Sequence, residues 1–258
     1  MAKAEPAPKH FVKIGEGFYH LRGTFRIGYV FNIGTHMALV RLLDGKYCVL
    51  DAVKLSPEQQ ADIDMITESG KLIDSVIFTH PFHTGAITQF YNFYPQANFY
   101  GCPRHLRMFP NITWAGDLQH QSVLQKWEDR GLSLRFPDGA EFVDPQPESY
   151  NHFTNVFAYH KESKTVFNDD CISKWSGCLI RTGLHFHPSM KSVGLYPTAS
   201  APLQFKQWMK KMLDDWDFEN LCTAHNSNLI GGAHQAVADL LHRTEKELDE
   251  LSARNAAK

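Results

Sequence analysis

The sequence predicts an α/β fold in which two β-sheets are covered by helices. Short apolar runs separated by glycines come first, and the Asp44-Gly45 pair between two of these runs is typical of a β-hairpin. Farther along, apolar β-branched runs alternate with helical segments, and amphipathic helix dominates the last third. Two strand-rich halves that each end in a helix bury their apolar faces as two β layers with helices outside.

The strands are predicted from compact apolar and β-branched runs bounded by turn residues. The predicted strands are Phe18–Leu21, Ile27–Ile33, Met37–Leu43, Tyr47–Leu50, Ile73–Phe78, Asn98–Tyr100, Ser133–Val143, Asn155–His160, Thr165–Phe167 and Leu221–Ala224. The helices are predicted from apolar spacing and end signals, as at Ser56-Pro57, where an N-cap residue precedes a proline. The predicted helices are Pro57–Glu68, Ala86–Tyr94, Val123–Gly131, Pro202–Trp216 and Ala233–Arg254.

One domain is expected over residues 11–258. The chain of 258 residues is 43% apolar and 21% charged, which is enough apolar surface for a stable core and unlike the composition of disordered proteins. Residues 1–10 are rich in alanine, lysine and proline. This N-terminal segment is predicted to be flexible.

The charge balance argues against nucleic acid and membranes as partners. With 26 basic and 28 acidic residues the net charge is −2, so no positive field is available to neutralise phosphates. No apolar stretch approaches the ~18 residues of a membrane-spanning helix. The basic cluster of Arg104, His105 and Arg107 is interpreted as a solvated loop, with phosphate binding as the alternative.

The cysteines indicate a reducing compartment, and a cytoplasmic location is expected. Five cysteines, an odd number, are scattered through the chain, which is not the pattern of a disulfide framework. Cys171 and Cys178 are close enough in sequence to be a pair of metal ligands. Without a second pair to complete a zinc site, buried free thiols are the favoured interpretation.

Histidine and aspartate side chains follow or precede several of the predicted strands. His80 and His83 come just after one strand, His152 precedes another, Asp169-Asp170 follows a third, and His225 follows a fourth. Side chains just past a strand end reach the edge of a sheet, where ligands bind in open α/β folds. Imidazole and carboxylate groups gathered there suit a divalent cation such as zinc or iron.

The order and spacing of these residues resemble the metallo-β-lactamase superfamily over residues 11 to about 232. In that family a strand leads into Thr-His-x-His-x-Asp-His, and Thr79–His83 is similar to this loop shortened by two residues. The segment Thr165–Asp170 is similar to the family's Thr-Leu-Phe-x-Gly-Asp, which aligns Asp170 with the bridging aspartate. The early aspartate, the middle histidine and the last histidine of the family correspond to Asp51, His152 and His225.

The shortened loop distinguishes this chain from the family pattern. Pro81, Phe82 and Thr84 stand where metal ligands are needed, and neither proline nor phenylalanine binds metal. Residues 79–117 are also similar to an uncharacterised branch of the superfamily in which this signature is degenerate. The resemblance therefore implies an αββα sandwich with a reduced site for one divalent metal.

The implied metal is zinc, with iron or manganese as alternatives, or no metal at all. The implied ligands are His80, His83, His152, Asp170 and His225. Asp170 and Asp169 are the candidate catalytic residues, and Asp51 is expected to orient a ligand or the water. We expect the ligands to converge, with His83 within about 12 Å of His225, since zinc–ligand bonds are only about 2 Å long.

The first functional interpretation is a hydrolase that attacks a small ester, amide or thioester through a metal-bound water. One alternative is a catalytically silent fold that binds a ligand or partner in the same cleft, and another is an iron-dependent redox protein. In the silent case, His152 and His225 are hydrogen-bonded strand-end residues and Asp169-Asp170 caps a turn. The sequence leaves the oligomeric state open.

Two further features near the site have open interpretations. His185 and His187 form a His-x-His pair whose rings share one face on an extended segment, so they are either an extra ligand or surface histidines. Trp175 lies in the segment after Asp170 and is predicted to line a pocket.

Overall fold

In the computed structural model, the described residues are 8–27, 31–175 and 182–258. They contain strands β1 (Val12–Gly15), β2 (Phe18–Gly23), β3 (Arg26–Ile27), β4 (Phe31–Asn32), β5 (Thr35–Arg41), β6 (Tyr47–Leu50), β7 (Ile73–Ile77), β8 (Asn98–Gly101), β9 (Trp114–Asp117), β10 (Leu132–Arg135), β11 (Phe157–His160), β12 (Thr165–Asn168), β13 (Ile172–Trp175), β14 (Gly183–Phe186), β15 (Asn220–Thr223) and β16 (Leu229–Ile230). The helices are α1 (Pro57–Ile66), α2 (Ile87–Phe93), α3 (Pro103–Met108), α4 (Gln121–Leu124), α5 (Ser200–Asp215) and α6 (Ala233–Ala256), with 3-10 turns at Gln125–Arg130, Glu148–Tyr150 and Pro188–Lys191.

Two large sheets form the frame. The first has the order β1-β2-β5-β6-β7-β8-β9, and the second has the order β10-β11-β12-β15-β16. In the first sheet, β6, β7, β8 and β9 are parallel neighbours; in the second, β12 and β15 are parallel. These parallel pairs bring the carboxyl ends of consecutive strands to a common edge, which positions the candidate site.

Three apolar layers hold the sheets and helices together. The inner layer lies between the two sheets and includes Phe18 and Val40 from one sheet and Phe167 from the other. An outer layer joins the first sheet to α1 and α2, and another joins the second sheet to α5 and α6. Each fully buried large apolar side chain contributes about 1.5–3 kcal/mol. The predicted α/β fold with two sheets covered by helices is therefore confirmed.

Two predicted strands differ from the structure. The strand predicted as Ser133–Val143 ends at Arg135, because the Pro137 that follows cannot donate a backbone hydrogen bond to a sheet. In the strand predicted as Ile27–Ile33, Arg26–Ile27 and Phe31–Asn32 pair as a separate two-stranded ribbon, β3–β4. Residues 28–30 lie outside the described residues.

The segment predicted to be flexible is described only at its end. Residues 1–7 lie outside the described residues. The backbone N–H of His10 donates to Asp62 Oδ2 at 2.8 Å, and the His10 ring Nδ1 lies 2.9 Å from the same oxygen. These contacts attach the start of the sheet region to α1.

The basic cluster lies on α3, which the sequence analysis interpreted as a loop. Arg104 Nη1 is 2.9 Å from Glu148 Oε2, and Arg107 Nη2 is 2.6 Å from Glu148 Oε1. The His105 ring is fully buried, and its Nδ1 accepts a hydrogen bond from the backbone N–H of Cys102 at 3.2 Å. Both arginines thus have an anionic partner within the chain, which corrects the interpretation as a solvated loop.

His105 gives a testable pH dependence. Burial, reinforced by the charges of neighbouring histidines, lowers the pKa of His105 to about 3, whereas an unfolded histidine titrates near ~6.5. The unfolded state therefore binds the proton first as the pH falls, so the neutral ring stabilises the fold at pH 7 and this contribution is lost towards acid. When the pH is lowered from 7 to 5, we expect the free energy of unfolding of His105→Gln to fall by about 2 kcal/mol less than that of the unsubstituted protein.

Urea unfolding of the metal-free proteins at the two pH values measures this difference. An equal loss of unfolding free energy in both proteins would show that His105 titrates normally in the fold.

Five short strands were not predicted from the sequence: β1, β9, β13, β14 and β16. β9 is the outermost strand of the first sheet, next to β8, and β13 and β14 form a hairpin beside the second sheet.

Among the described residues, no helix has the length and apolar character needed to cross a lipid bilayer.

Candidate metal centre

The predicted ligands meet at one edge of the sandwich. His80 follows β7 in the first sheet, while Asp170 and His225 follow the parallel pair β12 and β15 in the second. The ring centroids of His83 and His225 are 5.7 Å apart, well inside the expected separation. The predicted convergence is therefore confirmed, although the two residues follow strands of different sheets.

Asp170 is at the centre of the cluster. Its Oδ2 lies 3.5 Å from His80 Nε2, 3.8 Å from His83 Nε2 and 3.9 Å from His152 Nδ1, and its Oδ1 lies 3.0 Å from His225 Nε2. Two groups of three possible metal ligands share this carboxylate. They are His80, His152 and Asp170, and His83, Asp170 and His225, with the ligand atoms of each group within 4.8 Å of one another.

The orientation of His225 leaves two acceptor atoms facing each other. Its Nδ1 lies 2.7 Å from the backbone carbonyl oxygen of Gly34, so Nδ1 carries a proton and donates it; when no second proton is bound, Nε2 has only a lone pair. That lone pair faces Asp170 Oδ1 at 3.0 Å. Asp170 Oδ1 and His83 Nε2 are both buried without a hydrogen-bond partner. Such facing acceptors call for a cation or a proton between them, so the residues present fit a divalent metal.

Asp169 lies behind His83 rather than in the cleft. Its Oδ1 is 3.2 Å from His83 Nδ1 and 3.1 Å from His36 Nε2, and the Thr79 hydroxyl donates to its Oδ2. The neighbouring Asp51 accepts from the backbone N–H of Thr79 at 2.9 Å, and its Oδ2 lies 3.0 Å from the same hydroxyl. Both carboxylates are fully buried. They are placed to orient the His83 imidazole.

The buried carboxylates behind His83 differ in charge. Burial and the negative charge of Asp169 raise the pKa of Asp51 well above its usual value. Burial alone would also raise the pKa of Asp169, but hydrogen bonds from His36 and His83 lower it well below the usual range. Asp169 is therefore the ionised acid of the pair. Asp51 has a non-glycine backbone in the left-handed region, with φ of 52°, a conformation that is favoured only where the surroundings hold it.

Electrostatics around Asp170 favour its ionised form. Burial would raise its pKa, but the neighbouring imidazoles of His80, His225 and His83 lower it below the usual range. Burial, with the nearby His83, lowers the pKa of His80 to about 3. Hydrogen bonds to Asp169 and Asp51 overcome burial at His83 and raise its pKa well above the usual value. The cluster thus combines a permanent anion with a neutral imidazole at His80.

A cleft of about 640 Å³ opens onto the cluster. Its walls include the apolar side chains of Val53, Leu55 and Phe82, and His83, His152, Asp170 and His225 line its base. Lys54 is exposed at its wall. Trp175 is not among the described residues that line the cleft, and residues 176–181 of the segment predicted to line a pocket lie outside the described residues.

The cysteines and the His185–His187 pair were the other features that the sequence analysis interpreted near the site. The described cysteines are buried and free of disulfides, as expected, while Cys178 lies outside the described residues. The His187 ring is 5.8 Å from that of His152, and its Nδ1 lies 2.8 Å from Ser189 Oγ. His185 and His187 line a second cavity of about 800 Å³ next to α6.

Sequence reasoning missed the buried residues behind the ligands. His20 and His36 carry no motif and are polar members of otherwise apolar strands. Thr79 belongs to the Thr-His loop, but no role was assigned to it. The signal that was available is alternation: Phe18, His20 and Arg22 occupy every second position of β2 and so share one face of the strand. A histidine on an interior face needs a buried partner.

Solved structures show which fold this is. The chain is similar to a metallo-β-lactamase from Hirschia baltica, with 13% identity, a TM-score of 0.59, and coverage of 91% of this chain and 98% of that one. It is also similar to the metallo-β-lactamase FIM-1 from Pseudomonas aeruginosa in its mono-zinc form, with 15% identity, a TM-score of 0.57, and coverage of 94% and 99%. A metallo-β-lactamase from Pontibacter korlensis gives 11% identity, a TM-score of 0.59, and coverage of 90% and 98%.

The chain therefore has the metallo-β-lactamase-like αββα fold over nearly its whole length. No protein-family profile matches the sequence, and no curated protein matches it. At such low identity the structural likeness defines the fold, and the chemistry must be argued from this chain's own residues.

Proposed function

We propose that the protein is a metal-dependent hydrolase that acts on a small ester, amide or thioester-type substrate. The observation that carries the proposal is the pair of facing acceptors, His225 Nε2 and Asp170 Oδ1, at 3.0 Å in a buried cluster of imidazoles. The fold supports it, since a neighbour of the same fold is described in a mono-zinc form. We propose one divalent ion, because the two ligand groups that line the cleft share the single carboxylate of Asp170.

The ligand set is proposed as His80, His83, His152, Asp170 and His225. Imidazoles with one carboxylate suit zinc best, and iron or manganese is the alternative. When bound, such an ion supplies an acidified water as nucleophile and polarises the substrate carbonyl. Asp170 provides the compensating negative charge. Asp169 holds His83 by its Nδ1 and keeps Nε2 directed towards Asp170.

The cleft suits a small molecule with an apolar part. Val53, Leu55 and Phe82 offer apolar walls that exclude water from the reacting group. Arg104 lies over the Phe82 ring at 4.5 Å, and the Phe82 ring lies 4.5 Å from that of His152. These contacts hold the shortened loop against one ligand. The four cysteines that the structure describes are buried and free of disulfides, which fits a reducing compartment, and we propose a cytoplasmic location on that ground.

A substrate panel tests the reaction class. Esters, lactones, thioesters and phosphodiesters would be assayed with protein loaded with zinc, manganese or iron, beside an Asp170→Asn variant. We expect hydrolysis of a carbonyl substrate, lowered by at least about 100-fold in the variant, since losing a ligand costs more than the 10–100-fold of an outer partner. Turnover that survives in Asp170→Asn would contradict the proposal.

Two contacts of His80 favour the alternative of a catalytically silent fold that binds a ligand. The backbone N–H of Phe82 approaches His80 Nδ1 at 3.3 Å, and His80 Nε2 lies 3.3 Å from the carbonyl oxygen of His152. That pattern suits an imidazole protonated at Nε2, which cannot bind a metal through that atom. A folded protein that binds no added metal and turns over none of the substrate classes would favour this alternative.

A further inference from the structure

Two buried histidines lie on the strands beneath the candidate centre. His20 on β2 and His36 on β5 have 2% and 0% of their surface exposed. In the register of the two strands, Arg22 pairs with His36 and His20 pairs with Ala38, so both rings share the face that looks towards the second sheet. The His36 ring stacks on Phe167 with centroids 4.0 Å apart.

A row of hydrogen bonds runs through both rings to the candidate centre. Asn228 Nδ2 lies 3.3 Å from His20 Nδ1, and His20 Nε2 lies 3.1 Å from His36 Nδ1. His36 Nε2 then lies 3.1 Å from Asp169 Oδ1. We call the series Arg22, Asn228, His20, His36 and Asp169 the histidine relay.

The two ends of the histidine relay determine its direction. Arg22 can only donate, and its Nη2 reaches Asn228 Oδ1 at 2.6 Å, so the amide nitrogen of Asn228 faces His20 and donates to Nδ1. At the other end an ionised Asp169 can only accept, so His36 donates from Nε2. His36 Nδ1 is then a lone pair that accepts from His20 Nε2. Every proton in the series is thereby assigned by its neighbours.

Asp169, the last residue of the histidine relay, contacts the predicted ligand His83. Asp169 Oδ1 also accepts from His83 Nδ1 at 3.2 Å, which directs the opposite nitrogen towards Asp170, where Nε2 lies 3.8 Å from Oδ2. His83 Nε2 is one of the buried atoms without a partner. Without the donor from His36, the Asp169 carboxylate would be held only by Thr79 at Oδ2 and by His83 itself at Oδ1, and the orientation of the His83 ring would be less constrained.

We propose that His20 and His36 are positioning residues that, through Asp169, hold His83 with its Nε2 directed at the metal. This inference rests on the proposed metal centre, and it goes beyond it by assigning a role to two residues that are not ligands. Neither ring lines the cleft, so both act only through Asp169. Burial lowers the pKa of both rings, that of His36 to about 4, and keeps them in the single-proton form that the relay needs.

Substitutions at His36 separate positioning from simple core packing. His36→Phe fills a similar volume but has no donor, whereas His36→Gln can still donate an amide N–H to Asp169. His160→Phe is the matched control, because His160 is also a buried ring, 2% exposed, and it bonds Arg41 and Ser163 instead. Zinc dissociation constants would be measured by competition with a chromophoric chelator, on variants confirmed as folded by thermal melts.

We expect His36→Phe to weaken zinc binding by about 10–100-fold, the usual cost of losing an outer hydrogen-bond partner. His36→Gln and His160→Phe are expected to stay close to the unsubstituted protein. An unchanged zinc affinity in folded His36→Phe, or an equal loss in His160→Phe, would overturn the proposal.

A second measurement needs no metal. Nitrogen-15 NMR of the histidine rings in the metal-free protein is expected to show His20 and His36 both protonated at Nε2 and unprotonated at Nδ1. If the unsubstituted protein binds no zinc, the proposed function fails, and these spectra alone decide on the relay. A proton on His36 Nδ1 would overturn it, because the series would then run in the wrong direction.

Discussion

Replacing Asp170 with asparagine is expected to lower zinc affinity by at least about 100-fold, more than replacing His80 or His83 with alanine. Removal of an outer-shell partner alone typically costs 10–100-fold, and Asp170 is the only carboxylate shared by both ligand groups. Without it, neutral imidazoles would leave a divalent charge uncompensated in a buried site. The asparagine side chain keeps the volume of the aspartate and removes its charge, so the fold is expected to survive.

Asp169 provides the informative comparison. We expect Asp169→Asn to be milder than Asp170→Asn, because Asp169 contacts the centre only through His83 Nδ1. Asp138, which is exposed, is the control for loss of one negative charge. Bound metal would be measured by mass spectrometry of the intact protein. If Asp170→Asn kept full metal while Asp169→Asn lost it, the alignment of this segment with the family pattern would be wrong by one residue.

Zinc is expected to raise the melting temperature of the metal-free protein by about 5–10 °C at a concentration 100 times its dissociation constant. At that concentration a ligand bound only by the folded state contributes about 2.7 kcal/mol, and a domain of this size gains about 2–4 °C per kcal/mol. The metal would bring together side chains from both sheets, at Asp170 and at His83, so the stabilisation applies to the whole sandwich.

Thermal melts of the chelator-treated protein with and without zinc measure this shift. Magnesium serves as the control ion, since it prefers oxygen ligands and keeps its waters. The shift is expected to vanish in Asp170→Asn. A rise of equal size with magnesium, or in the Asp170→Asn variant, would show that the ion binds elsewhere on the protein.

Much of the site was predictable because its ligands follow apolar runs. His80, Asp170 and His225 each come just after a strand, and parallel strands end at one edge, so the strand pattern already implied their meeting. The partners of these ligands were not predictable in the same way. His36 and Asp169 are 133 positions apart, and only the packing of one sheet on the other brings them together.

The fold shows the same division between local and distant signals. The long amphipathic helix α6 was predicted from its spacing. At α3, Pro103 stands at the first helical position, which is a signal for the start of a helix. The basic residues that follow it were nevertheless interpreted as a loop. The hairpin of β13 and β14 was missed because polar residues interrupt both short runs, at Ser173-Lys174 and at His185. Its pairing depends on contacts that a single short run does not reveal.

Metal content measured directly is the closest test of the central claim. Protein would be purified without added metal and without a metal-affinity tag, and zinc, iron and manganese would be determined by elemental analysis for the unsubstituted chain and for Asp170→Asn. The account predicts about one divalent ion per chain in the first and little or none in the second, since the shared carboxylate compensates the ion's charge. A folded, unsubstituted protein that contains no metal and gains none on incubation with zinc would contradict it.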